Sequence, residues 1–318
     1  MNPKISFLIS AMNEEKNIGN VLDNLARLRK VEPNIEVLVA VDGSTDRTEE
    51  IVGKYKFAKI LIRGPRLGKN ISIHRLTQAA KGDVIVIHDA DWIFRWNKKT
   101  LENMINFFKE NTNIGGIVQE VPYFNRERYM SNKAKLLVKI GFIGEAVASN
   151  LIRSFMQKYQ KVHTNFKELL FTPLIFVIRK GVIKKDTTIT QIEICDEAKR
   201  TTELLKKGYT FCYSDASLPY FEVLYNRTSF NSLIKQRTRG FLVNRIQKKL
   251  YEWDITKFYF LTAIFFTKNF FKLSPIEMLG LSVWILAGVI ALVRLKLGLV
   301  KNKNIWSHRV ERLKNVTK

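Results

Sequence analysis

From Ile5 to Val118, short apolar runs alternate with stretches whose apolar residues recur every three or four positions. The runs Ile5 to Ser10, Ile35 to Val41, Ala58 to Arg63, Val84 to His88 and Ile114 to Val118 have the length and β-branched content of strands. Between them "NIGNVLDNLARL", "TEEIVGKY", "ISIHRLTQAA" and "KTLENMINFFKEN" keep helical spacing. Strand and helix in repeated alternation predict an α/β architecture, a doubly wound and mostly parallel sheet covered by helices. Ligands of such sheets bind beyond the carboxyl ends of the strands, so polar residues placed there carry the first functional expectation.

The pattern then changes. Residues 131 to 160 hold apolar residues at helical spacing with lysines on the remaining face, which fits an interfacial amphipathic helix or a plain core helix. "LIFVIRKGV" is expected as a strand, and Asp196 to Lys207 as a helix closed by Gly208. Two further apolar runs, residues 258 to 273 and 275 to 293, are separated by Ser274 and Pro275, a turn signal. A spanning helix needs roughly 20 apolar residues. The second run nearly meets that; the first carries Lys268 and meets it only if the lysine reaches an interface. Residues 294 to 318 hold eight Lys or Arg and one Glu, and the stretch before the hairpin is basic too, so both flanks are expected on the cytoplasmic side. A hairpin that spans the membrane and one that lies on it both suit this pattern.

Charge narrows the partners. With 53 Lys plus Arg against 29 Asp plus Glu, the net charge is +24, which calls for a polyanion: nucleic acid, an anionic membrane face or a phosphorylated substrate. A basic nucleic-acid-binding protein would account for the charge, but not for paired acids at strand ends or an apolar C-terminal region, and no recognised nucleic-acid motif is present. No nucleic-acid partner is therefore expected. Two cysteines, Cys195 and Cys212, suit a reducing compartment and support neither a disulfide framework nor a four-ligand zinc site. The N-terminal "MNPKISFLIS" is too short in its apolar run for a signal peptide, which leaves the N-terminal domain expected in the cytoplasm.

Six stretches carry candidate chemistry. "ISAMNEE" and "VDGSTDRT" each end a strand with acidic, amide and hydroxyl groups able to bind a base edge and ribose hydroxyls, though "DGSTD" alone is also an ordinary capped turn. In "RGPRLGKNISI" the glycines and Lys69 approach a P-loop, but the spacing is one residue short and Asn70 stands where a magnesium-binding hydroxyl belongs; a lysine at a helix start still suits a phosphate. Asp89 and Asp91 follow the fourth strand, where extended geometry would point both the same way and favour a hard divalent ion between them. Alternation sends His88 to the other side, into packing. Glu193, Asp196 and Glu197 open a helix, where acids commonly complement its dipole. Gln236, Arg237 and Arg239 present guanidinium forks suited to diphosphate oxygens or to anionic lipid.

Together, in this order, the stretches resemble the family 2 glycosyltransferases, inverting enzymes of the GT-A fold with a Rossmann-like sheet, over about residues 3 to 245. "SAMNEEKNI" is similar to the family's P-A-Y-N-E-E, "VDGSTDRT" to V-D-D-G-S-T-D-G-T, and "GKN…AAKGDVIVIHDAD" to G-K-x-x-A-x-N…A-x-G-D-x-I-x-x-x-D-A-D. The resemblance implies that Ala11, Asn13 and Glu14 line a nucleotide pocket, with Asp42 near the base or ribose and Lys69 close by. It implies Asp89 and Asp91 as the D-x-D pair, Asp91 more directly on a Mg2+ or Mn2+ ion that bridges the donor's diphosphate. Asp196 and Glu197 fall on the family's E-D pair, Glu197 in the slot of the catalytic base. Gln236, Arg237 and Arg239 match Q-R-x-R-W and would hold the leaving diphosphate. Ser10, Met12, Val41 and His74 depart from the family pattern, and Gly240 replaces the tryptophan that processive synthases use to seat a growing chain.

The expectation is a metal-dependent, single-addition sugar transferase at the cell membrane. It would use a nucleoside-diphosphate sugar and a hydroxyl of a lipid-linked glycan or glycolipid, with membrane lipids as further partners. "DADWIFRWNKK" lacks the D-x-D-L-Q-x-P-P-E that polyprenyl-phosphate glycosyltransferases carry, which makes that lipid phosphate the alternative acceptor. The expected division is a donor half over residues 1 to 130, an acceptor half over 131 to 254, a membrane hairpin over 255 to 294 and a basic tail over 295 to 318.

Overall fold

The structure, a computed structural model, describes residues 4–118, 136–159, 175–182, 196–223, 230–251 and 255–300. These residues form two compact units, one of 4–118, 175–182 and 196–223, the other of 136–159, 230–251 and 255–300. The expected tail beyond residue 300, Glu193 and Cys195 lie outside the described residues.

The first unit begins with β1 (Ile5–Ala11), α1 (Ile18–Val31), β2 (Ile35–Val41), α2 (Thr48–Gly53), β3 (Ala58–Ile62), α3 (Lys69–Ala79) and β4 (Val84–Asp89). A short strand β5 (Trp92–Arg95), helix α4 (Lys98–Glu110) and β6 (Ile114–Val118) follow. Seven strands form one sheet in the order β3-β2-β1-β4-β7-β6-β8, where β7 is Ile175–Arg179 and β8 is Thr210–Tyr213. β1 lies parallel to β2 and β4, and β6 parallel to β8, while β7 runs antiparallel between β4 and β6. The sheet is thus mostly parallel with one reversed strand. Helices on its faces explain the unbroken apolar runs: every residue of β1 except Ser10 is buried. α1 presents Ile18, Val21, Leu22, Leu25 and Leu28 to this core, and α4 presents Leu101, Met104, Ile105 and Phe108 after a reciprocal cap between Asn97 and Thr100.

β5 pairs antiparallel with β9 (Tyr220–Val223) in a separate two-stranded ribbon, Trp92 opposite Val223. Aromatic contacts seat the ribbon: Trp92 meets Phe176 with ring centroids 4.9 Å apart, and Phe221 lies 5.2 Å from Phe94 and 5.1 Å from His88. Trp92 therefore has a packing role beside the end of β4.

The second unit is helical: α5 (Leu136–Tyr159), α7 (Phe230–Tyr251), α8 (Ile255–Phe270) and α9 (Pro275–Lys296), with α6 (Asp196–Lys206) belonging to the first unit. α5 and α9 cross where two glycines meet. A Cβ on Gly144 would stand 1.8 Å from the Gly280 carbonyl oxygen, so only bare backbone permits this approach. Farther along α9, Ala287 and Ala291 pack with Leu233 and Ile234 of α7, and Leu281 with Val147 and Ala148 of α5. α9 starts at a capping box of Ser274 and Glu277 with Pro275 in its first turn. Among the described residues α9 is the helix long and apolar enough to cross a membrane; α8 has 16 residues.

Candidate functional site

In the first unit the chain runs from β1 through β2 to β3 on one side, then returns to place β4 on the other side of β1. That reversal beside β1 is the switch point at whose carboxyl end ligands of such sheets bind. Ala11 pairs with Val41, and Ser10 with Asp89, so the ends of β1, β2 and β4 sit at one level.

The loops after β1 and β2 are clasped together. Asn13 adopts a positive φ of 56°, a conformation asparagine tolerates better than most residues, and its side-chain oxygen accepts from the Thr45 amide at 2.8 Å. The Asn13 amide donates to Ser44 Oγ at 3.1 Å, and the Glu14 amide to Thr48 Oγ1 at 2.8 Å. Glu15 and Asp46 continue the clasp through the Glu15 amide. "DGSTD" is therefore a turn whose hydroxyls and carboxylates hold the neighbouring loop, which fixes the two loops against each other. Glu14 is buried and accepts from Asn17 Nδ2 at 3.1 Å.

Asp42 is 2% exposed, and both carboxylate oxygens are engaged. One accepts from the Leu67 amide at 2.6 Å, the other from the Gly68 amide at 2.8 Å. These are the amides that lead into α3, so Asp42 pins the glycine-rich loop to the end of β2. The loop in turn sits on Gly43, whose φ is +72° and whose missing Cβ would lie 2.7 Å from Arg66 Cβ. Lys69 opens α3, and its Nζ lies 2.8 Å from Asp89 Oδ1.

Asp89 is 6% exposed and Asp91 5%. Asp89 ends β4, but Ala90 and Asp91 form a turn into β5, so the pair does not continue an extended strand as strand alternation would require. The turn brings the second acid back at the mouth of the same strand. Among the described residues no three His, Cys, Asp or Glu side chains converge. Two buried carboxylates fit as part of the oxygen ligand set of a hard divalent ion. His88 faces away: it packs on Phe221 and Phe7, its Nδ1 lies 2.8 Å from the Asp89 carbonyl oxygen, and burial lowers its pKa to about 4, which leaves it neutral.

The backbone of Asp196 and Glu197 opens α6 in the same unit; their side chains lie outside what the structure describes. Arg95 and Glu222 pair across the β5–β9 ribbon.

Gln236, Arg237 and Arg239 belong to the helical unit, on α7. The Gln236 side-chain amide donates to Glu145 of α5 at 2.7 Å, and Glu145 is 3% exposed. The Arg237 guanidinium stacks on the Trp284 indole of α9, 3.6 Å from the ring centroid. Glu145 is a partner of the motif that motif matching does not supply; its signal in the sequence is one acid inside the apolar stripe "GFIGEAVAS".

The sequence model of the family described as "Glycosyl transferase family 2" matches residues 6–186. A probable glycosyltransferase of Bacillus subtilis, YdaM, is 38% identical over 96 residues, which cover 28% of this chain and 23% of that protein. A beta-monoglucosyldiacylglycerol synthase of Nostoc sp. is 32% identical over 95 residues, covering 28% of this chain and 20% of the relative. The matched part of the chain thus spans about a quarter or less of these relatives' length. Among solved structures, the mannosyltransferase PcManGT of Pyrobaculum calidifontis, in complex with GDP-Man and Mn2+, aligns with TM-score 0.52 at 14% identity, over 98% of this chain and 88% of that one. A mycobacterial protein aligns with TM-score 0.50 at 16% identity, over 79% and 76% of the two chains.

Proposed function

The chain belongs to glycosyl transferase family 2, and from that premise we propose that it moves one sugar from a nucleoside-diphosphate sugar to a hydroxyl of a lipid-linked glycan or glycolipid. The observation that carries this reading lies at the ends of β2 and β4, where Asp42 pins the glycine-rich loop and Lys69, opening the helix after it, pairs with the buried Asp89, two residues before the buried Asp91. A nucleotide would lie over the floor made by Ala11, Asn13 and Glu14. Asp42 would act there by fixing the loop that leads to Lys69, since both its oxygens already hold backbone amides.

Asp89 and Asp91 would hold a Mg2+ or Mn2+ ion, which when bound would neutralise charge developing on the leaving diphosphate. Lys69, at the start of α3, adds a second positive centre beside the same acid and directs a diphosphate oxygen toward the helix N-terminus. Glu197, with Asp196 beside it at the start of α6, is the assigned base: it would take the proton from the acceptor hydroxyl as that oxygen attacks the anomeric carbon, with inversion by a single displacement. Arg237 and Arg239, on the Gln236 turn of α7, are assigned to the diphosphate oxygens. Gly240 leaves no aromatic platform after them, which favours a single addition.

The membrane setting is supported by the apolar α9 and by the glycolipid product named for the Nostoc relative. The sheet unit would then work on the cytoplasmic face. The acceptor is tested by incubating purified protein and a labelled sugar nucleotide with lipid-linked saccharides, diacylglycerol lipids and polyprenyl phosphate. Label is expected on a saccharide or glycolipid hydroxyl; label on polyprenyl phosphate alone would sink the hydroxyl-acceptor reading.

A further inference from the structure

We infer that α9 docks lengthwise in the headgroup and acyl boundary of an anionic leaflet, rather than crossing the bilayer. The inference rests on the proposed membrane setting and adds how the helical unit meets the lipid.

One face of α9 is solvent-exposed from end to end. Leu279, Leu286, Val289 and Val293, with Ser282 as the polar residue among them, recur at three- and four-residue spacing along it, and exposed Ile285 and Leu292 widen the stripe. The opposite face is Gly280, Leu281, Ala287, Gly288 and Ala291, buried within the helical unit. Twenty-two residues would reach about 33 Å, enough for a bilayer core of about 30 Å. Length alone therefore permits crossing.

What covers the inner face does not. Beside Gly280 stands Gly144, and its neighbour Glu145 is buried with the Gln236 amide upon it. At mid-helix Arg237 lies on Trp284, and a Cβ on Gly288 would sit 3.4 Å from Arg237 Nε. Near the C-terminal end Arg294 reaches Asn231 Oδ1 at 3.3 Å. Polar and charged groups of α5 and α7 thus accompany α9 along its whole length. A crossing helix would carry them to the middle of the hydrocarbon, where charged side chains are costly. Laid flat, the same helix keeps them above the lipid and its exposed stripe below.

Charge agrees. Lys268 and Lys272 lie before the start of α9, and Arg294 and Lys296 at its end, all exposed. A crossing α9 would place one of these basic pairs on the far side, against the usual bias; a flat one brings both to the same anionic headgroups. α8, at 16 residues, reaches only about 24 Å and supplies no second crossing to return the chain.

The test uses the full chain with Cys195 and Cys212 replaced by alanine and single cysteines at L279C, L286C or V293C, each carrying bimane, on vesicles of phosphatidylcholine and phosphatidylglycerol. Unlabelled parent protein in a flotation assay establishes vesicle binding independently of the cysteine-free background. Quenching by lipids brominated at graded depths should place all three labels at one shallow depth, about 5 to 10 Å into the boundary. A profile with Leu286 about 10 Å deeper than the other two would mean crossing and overturn the inference while leaving the membrane setting intact. Parent protein that does not float with vesicles, or that pairs through this face with a second copy instead, would overturn both. Labels that stay unquenched on bound protein would overturn the inference alone.

Discussion

Asp42 separates two roles that look alike in sequence. Its carboxylate is held by two backbone amides 25 and 26 residues away, so its first effect is on the glycine-rich loop. Asp42→Asn keeps the size and loses one acceptor, which costs about 2 kcal/mol for a buried charge-assisted pair. The amides of residues 67 and 68 should then exchange hydrogen about thirtyfold faster, since ~1.4 kcal/mol is a factor of ten. Unchanged exchange together with weaker donor binding would return Asp42 to direct contact with base or ribose. The motif that contains Asp42 is visible in the sequence, but the loop it holds is not, because the partners are backbone amides without side-chain identity. Asp89 and Asp91 were legible as neighbours at a strand end; that they straddle a turn was not, since the two residues after β4 are ordinary in either conformation. Glu145 and Trp284, which touch Gln236 and Arg237, stand 91 and 47 residues from them in sequence and carry no local signal of that contact.

At the scale of elements, spacing located β1 to β4, β6 and their helices within a few residues, because each element has one apolar pattern and one packing partner layer. The reversed direction of β7 was not legible: "IFVIR" is buried on both faces and looks the same running either way. β5 and β9, four residues each, are too short for a period and are specified by aromatic packing across the chain. The crossing of α5 and α9 depends on Gly144 and Gly280, and Gly144→Ala would press a methyl into backbone that has no rotamer to yield. It should destabilise the helical unit by about 1 to 3 kcal/mol, and more if the helices cannot separate. Gly240→Ala on α7 is the control, with nothing within 4 Å of the new Cβ and a gain of up to about 1 kcal/mol from helix propensity. Thermal unfolding of both variants checks the pair; equal melting temperatures would remove the close crossing as a stability determinant.

For the molecule as a whole, a net charge of +24 coexists with a pair of buried acids after β4 in the sheet unit and an apolar stripe in the helical unit. On the proposed function both have a use: the acids would admit a cation beside a diphosphate, and the stripe would admit the lipid of an anionic leaflet. On this reading Asp89 and Asp91 would make sugar-nucleotide binding depend on a divalent ion. Isothermal titration of a panel of uridine- and guanosine-diphosphate sugars into the parent protein and Asp91→Asn, each with Mn2+ and with chelator, tests it most directly. At least one donor should bind the parent in Mn2+ and weaken more than about tenfold, ~1.4 kcal/mol, both in chelator and in the variant. A donor that binds all four samples equally, or a parent that binds none with the metal present, would contradict the account.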